Sequence, residues 1–193
     1  MDVFDAIRDR RAVREFTDRP VDRATVQRLI DAAVRAPSAM NLQPWAFLVV
    51  QDRPALRQIS DAAKTYLLGT IVPSSPLANY RHMLTDAAFE IFYGAPTLIV
   101  VCTDGSPSTE ATHAAEDCCL AAENLMLAAH ATGLGSCWIG FARPWLSTGA
   151  AKSALAIPEN WVPVAPVIVG YPRQAPAPTP RKAPSVIWYE PRS

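Results

Sequence analysis

The sequence predicts one domain, residues 1–193, built from both helices and strands. Apolar residues recur at helical spacing in Val26, Leu29, Ile30, Ala33 and Val34. Runs of strand length, Ala46–Val50, Thr97–Cys102 and Val162–Val169, lie between the helical patterns. A chain of 193 residues, 50% hydrophobic and 19% charged, suits a single sizeable core. Basic and acidic residues balance at 18 each, so no net field recruits nucleic acid or an anionic membrane, and neither is an expected partner. Any anion must be held by local clusters. The start, Met1-Asp2-Val3-Phe4, lacks a basic and then apolar leader pattern. No uninterrupted apolar run reaches about 18 residues. A cytoplasmic location is the expectation.

Residues 2–11 read as a first helix with Val3, Phe4 and Ile7 on one face. Arg8, Arg10, Arg11 and Arg14 crowd together before Phe16. Cations suit a helix C-terminus, but four exceed what a cap needs, and guanidinium forks match phosphate oxygens. The second helix starts at an Asp22 cap and stops at Ala36, because the residue before Pro37 is pushed out of the α region. Then comes a proline-braced loop, Ala36–Trp45, carrying Ser38, Asn41 and Gln43. Its amides both donate and accept, which suits the edge of a flat heterocycle. The same side chains can instead bond their own backbone. Ala46–Val50, apolar on both faces, is expected to be a central, covered strand. A third helix begins near Arg53-Pro54 with Leu56, Ile59 and Ala63 inward. Residues 66–93 hold Tyr66, Tyr80, Phe89, Phe92 and Tyr93 and are broken around Pro73 and Pro76; they line a pocket or roof the core.

Thr97–Cys102 is a second fully apolar strand. A long helix, His113 to Thr132, should end at Gly133 in the left-handed conformation. It is apolar around most of its circumference, so it is buried on more than one side, and a subunit interface is the economical way to do so. Gly133 to Gly140 turns into another strand whose glycines allow a ligand close to the backbone. A helix is expected over Trp145–Leu155, and Val162–Val169 is expected at a sheet edge because of Pro163 and Pro166. From Tyr171 the chain is proline-rich and extended, yet it ends in the apolar tip Val186–Tyr189. That combination suggests an arm, 171–193, added to the edge of a partner's sheet. Arg181 and Lys182 give it a local cation pair. Cys102, Cys118, Cys119 and Cys137 have no metal or redox spacing and are expected to be buried hydrophobes.

Four pieces occur in order: Arg10-Arg11-Ala12-Val13-Arg14-Glu15-Phe16, Pro37 to Trp45, Gly133 to Gly140, and Pro180-Arg181-Lys182. Together they resemble the FMN-dependent nitroreductase family, from residue 2 to the C-terminal strand, with no family motif between about 64 and 93. The resemblance implies an α+β, three-layer fold, with a mainly antiparallel sheet flanked by helices. It also implies an intertwined homodimer with exchanged C-terminal strands and FMN at the interface. Arg10, Arg11 and Arg14 would then bind the FMN phosphate and ribityl chain, and Arg181 and Lys182 would close on the same phosphate. Pro37, Ser38, Ala39, Asn41 and Gln43 would come from the other subunit, and the backbone at Ile139-Gly140 would approach the ring. Ala12 departs from the Ser often found there and offers only its backbone N–H. The activity implied is a ping-pong transfer, from NADH or NADPH to FMN and on to a small acceptor such as a nitroaromatic or quinone. No acid–base residue is needed, since the cofactor carries the chemistry. The same fold also admits reductive dehalogenases, dehydrogenating oxidases and flavin-fragmenting enzymes. A flavin-binding sensor or storage protein is the non-enzymatic alternative.

Overall fold

The structure, a computed structural model, describes residues 1–106 and 113–190. Helix α1 spans Val3–Asp9, begun by Asp2, whose carboxylate accepts from Asp5 N–H at 2.8 Å. It stops short of Arg11 because Arg10 turns to ψ 134. Helix α2 spans Arg23–Ala33, and Asp22 caps it by accepting from Thr25 N–H at 2.8 Å. Residues 34–36 are a turn rather than helix, with Arg35 and Ala36 N–H donating to Ala32 and Ala33 carbonyls. Helix α3, Arg53–Thr70, buries Leu56, Ile59 and Ala63 as expected. A short helix α4 follows at Arg81–Thr85. Helix α5 spans Ala114–Ala131, and Gly133 follows at φ +81, the expected left-handed terminator. The helix expected over Trp145–Leu155 is two short ones, α6 (Arg143–Leu146) and α7 (Gly149–Ala154). Thr148 restarts the chain by accepting from Ala151 N–H through its hydroxyl at 3.2 Å.

Four strands, β1 (Trp45–Val50), β2 (Thr97–Thr103), β3 (Gly135–Trp138) and β4 (Val162–Gly170), form one antiparallel sheet in the order β1-β2-β4-β3. Alternation along β2 divides the interior. Leu98, Val100 and Cys102 point to a core shared with Leu56, Ile59, Ala63 and Leu67 of α3. Ile99 and Val101 point to the opposite core, with Val26 and Leu29 of α2 and Ala121 and Leu125 of α5. Helices therefore cover both sheet faces, giving the three-layer α+β architecture.

Two strand positions differ from expectation, and each has a cause. The β1 strand is covered on the face of Leu48 and Val50, which pack on one core, and partly on the other, where Phe47 packs on the second core while Val49 stays exposed. It nevertheless lies at the sheet edge, because face burial says nothing about edge pairing. The β4 strand is interior despite its prolines. Ile139 N–H donates to the Pro166 carbonyl at 2.7 Å, on the side where β3 has just left the ladder at Trp138. A strand residue's N–H and C=O share a side, so Pro166 lacks its donor where no strand requires one. Near Pro163 a bulge between Val101 and Cys102 breaks the register.

Candidate active site

The site begins where β3 ends. After Ile139 the chain enters a tight turn, Gly140–Ala142, beside a cavity of about 450 Å³. Ile139, Gly140 and Phe141 form one wall, and Arg14 is the charged side chain in the lining. Leu77, Tyr80 and Met83 bring the 64–93 stretch into the lining. Tyr80 stands edge-on to Phe141, ring centres 5.6 Å apart. The Arg14 guanidinium lies 5.9 Å from the centre of the Tyr93 ring. Buried Lys64 holds the far end of this segment, its ammonium donating to the Asp86 and Phe89 carbonyls at 2.8 and 2.7 Å. Cys137 borders the same cavity. Burial pushes its thiol up, against the pull of Arg14 and Arg10, so it is no thiolate nucleophile near neutral pH. The lining is largely apolar and aromatic, with Arg14 as its cation, a composition suited to a flat ring.

The Arg10–Arg14 segment crosses this region by an isolated parallel bridge between Ala12 and Ser136, with Val13 N–H donating to the Ser136 carbonyl at 3.0 Å. Gly135 permits that approach, since a Cβ there would lie 2.7 Å from the Val13 side chain. The crowding is thus from protein rather than ligand, whereas a Cβ on Gly140 would meet nothing within 4 Å. Arg10, Arg11, His130 and Ser136 line a second cavity of about 240 Å³. Each of these four residues also carries a buried polar atom without a hydrogen-bond partner: Arg10 Nε, Arg11 Nε, His130 Nε2 and Ser136 Oγ. Arg10 Nε lies 3.3 Å from a Glu123 carboxylate oxygen, an ion pair without hydrogen-bond alignment. Arg11 donates through Nη1 to the Arg8 and Arg10 carbonyls at 2.6 and 2.7 Å. Arg8 stands apart, paired at the surface with Asp5 and Asp9. Each orphaned buried polar atom costs about 1–3 kcal/mol, and an anion with several acceptor oxygens removes that cost for the donors among them.

The other sequence-predicted residues lie elsewhere in the chain. Pro37, Ser38, Ala39, Asn41 and Gln43 line neither cavity. Ser38 Oγ accepts from Gln43 N–H at 3.0 Å, and Gln43 Nε2 donates to Asn41 Oδ1 at 3.2 Å, so the loop bonds largely within itself. Asn41 and Gln43 remain exposed. Arg181 and Lys182 are exposed on the extended arm, whose last three residues, 191–193, lie outside the described residues. Sequence reasoning missed His130 and Ser136. The available signal was weak: a polar residue in the short strand 135–138, and a histidine in the last turn of α5. Cys119, expected to be buried, is exposed on α5, and Leu120 beside it is half-exposed. Phe4 and Ile7 of α1 and Ile187, Trp188 and Tyr189 of the arm also lie open. Among the described residues no helix is long and apolar enough to cross a membrane.

Comparison with known proteins bears on this arrangement. The family model described as "Nitroreductase family" matches residues 7–171. The "Putative NADH dehydrogenase/NAD(P)H nitroreductase" of Methanothermobacter thermautotrophicus is 32% identical over 176 residues, covering 91% of this chain and 80% of that protein. The 5,6-dimethylbenzimidazole synthase of Rhodospirillum rubrum is 30% identical over 177 residues, covering 86% of this chain and 79% of its own length. A nitroreductase from Bacteroides fragilis, crystallised with bound FMN, superposes with a TM-score of 0.82 at 25% identity, covering 98% of this chain and all of that one. The motif order, the three-layer fold and the family match over most of its length agree: the chain belongs to the nitroreductase family.

Proposed function

We propose that the chain is an FMN-dependent NAD(P)H oxidoreductase that works as a homodimer and reduces a small acceptor such as a quinone or nitroaromatic. The observation that carries this reading is the pairing of two cavities. One, of about 450 Å³, has aromatic walls, and the other is lined by Arg10, Arg11 and Ser136, each of which carries a buried, unpartnered polar atom. A phosphate carrying about two negative charges meets that donor set, and an isoalloxazine ring meets the aromatic walls. The likeness to a nitroreductase crystallised with FMN supports the same cofactor here.

In this reading Arg10 and Arg11 hold the phosphate, with Ser136 and the Ala12 backbone N–H beside them. Arg14 supplies positive charge to the ribityl and ring end. Ile139 N–H is already used on Pro166, so the backbone donor free to face the ring is Gly140 N–H, which has no partner within its own turn. Donors at that edge favour a reduced, anionic ring. Tyr80, Met83 and Phe141 exclude water and stack the reactants. Arg181 and Lys182 close on the phosphate from the arm, and the Pro37–Gln43 loop serves the neighbouring subunit's ring. Bound FMN would supply the redox chemistry, two-electron transfer from NADH or NADPH to the acceptor in two half-reactions. No side chain is assigned an acid–base role.

The purified protein should carry a flavin absorption spectrum, bleach with NADH or NADPH without oxygen, and recover colour on adding a quinone. A colourless protein that cannot be loaded with FMN would sink the proposal. The likeness to a 5,6-dimethylbenzimidazole synthase favours one further reading, fragmentation of the reduced flavin. Irreversible loss of flavin colour in oxygen, with a benzimidazole among the products, separates that outcome from turnover.

A further inference from the structure

The Pro37–Gln43 loop holds a shape that its own residues do not favour. Met40, Asn41 and Gln43 sit at φ 51, 56 and 52, in the left-handed region that L side chains rarely adopt. Such backbone persists where surrounding contacts over-determine it. Inside the loop, Asn41 N–H donates to the Ser38 carbonyl and Leu42 N–H to the Ala39 carbonyl, at 3.0 and 3.1 Å. Among the described residues, only Ala39 N–H carries a hydrogen bond from residues 37–43 to another element. It donates to both carboxylate oxygens of Asp117, at 3.2 and 3.1 Å.

Asp117 is an unusual acceptor. It lies in the first turn of α5, is only 4% exposed, and makes no ion pair among the described residues. Its immediate neighbour in the chain, Cys118, belongs to the apolar core. A helix N-terminus favours an acidic side chain, but an exposed one obtains that benefit without desolvation. Burying the carboxylate gains something more only through the loop it holds.

We infer that Asp117 is a positioning residue: its carboxylate, through Ala39 N–H, fixes the Pro37–Gln43 loop in the shape that presents Asn41 and Gln43 outward. The inference rests on the reading above, in which this loop meets the flavin of the neighbouring subunit. Asp117 thus shapes a site that its own chain does not contain. Its contribution is to geometry, and it touches neither cofactor nor substrate.

The test compares Asp117→Ala, Asp117→Asn and Ala39→Pro in the full-length protein. Ala39→Pro removes the same bond from the loop side and keeps the loop readable if Asp117→Ala does not fold. Two quantities are read: hydrogen exchange of the 36–45 peptide in flavin-free protein, and FMN affinity by fluorescence titration. Asp117→Ala and Ala39→Pro should each speed loop exchange and weaken FMN binding by about tenfold, the loss of one charge-assisted bond. Asp117→Asn keeps an oxygen acceptor and should hold both within about threefold of wild type, a rescue that loss of a helix-dipole charge would not give. Unchanged loop exchange in folded Asp117→Ala overturns the inference, and so does faster exchange with unchanged FMN affinity. If the wild-type protein takes up no FMN, the flavin reading fails, while the exchange measurement still decides whether Asp117 holds the loop.

Discussion

Arg14 is the residue where the one charge lining the cavity, among the described residues, meets its aromatic wall. Its guanidinium lies near the Tyr93 ring and opposes the burial that raises the Cys137 thiol. Replacing it with alanine should weaken FMN binding by about 1.5–3 kcal/mol, the scale of a charge-assisted hydrogen bond, with little change in fold stability. Fluorescence titration of the flavin-free protein measures the loss, and an unaltered affinity removes Arg14 from the binding set. The Arg10, Arg11 and Arg14 cluster stood out in the sequence as a candidate anion site because four arginines before Phe16 exceed what a cap needs. Which cavity each faces was not legible. The Ala12–Ser136 bridge separates Arg10 and Arg11 from Arg14, and a contact between residues so far apart in sequence leaves no local spacing signal. His130 and Ser136 escaped notice for the same reason. Each looks ordinary in its own element and becomes informative only when its unpartnered atom is found beside the arginines.

At the scale of elements, helix starts were the most readable feature, since capping chemistry is local. Asp22 shows why. Its carboxylate accepts from the backbone N–H and the hydroxyl of Thr25, both at 2.8 Å, and these bonds hold it below the usual carboxylate range. A lowered folded-state pKa stabilises the fold above the ordinary carboxylate range, and that stabilisation is lost as pH falls through the lowered value. Asp22→Ala should therefore lower the melting temperature by about 2–4 °C at neutral pH. The gap between variant and wild type should close in acid below the carboxylate range, as scanning calorimetry across pH would show. Strand existence was also legible, because apolar runs of strand length mark covered faces. Strand order was not. Phe47 and Leu48 of β1 announce contact with a core on each face yet cannot report an unpaired edge. Pro163 and Pro166 of β4 announce missing donors yet cannot report that the neighbouring strand has already ended. The 64–93 stretch carried no motif because its work at the cavity is done by Leu77, Tyr80 and Met83 as shapes rather than as a pattern.

Taken whole, the molecule leaves apolar surface that a solitary chain does not use. Phe4 is 76% exposed, Trp188 85% and Ile187 94%, and the outer edge of β1 is unpaired within the sheet. Scattered exposed side chains are ordinary, but an arm with an apolar tip and an open strand edge together suit strand addition between copies. Sequence alone indicated the arm through its prolines and its Val186–Tyr189 ending. It could not show that α1 turns Phe4 and Ile7 outward, since a helical stripe identifies a face without saying what covers it. The Pro37–Gln43 loop and the cavity beside Ile139 share no lining residue within the chain, which has a genetic consequence. If the loop serves the partner's cavity as proposed, two chains that each bind FMN weakly, one carrying Arg14→Ala and the other Asn41→Ala, should complement each other when unfolded, mixed and refolded together. In that arrangement each mixed dimer would regain one site in which both halves are wild type, so random pairing should restore about a quarter of the full flavin-bound capacity. If the loop served its own chain's cavity instead, the mixture would show no more than the average of its two parents.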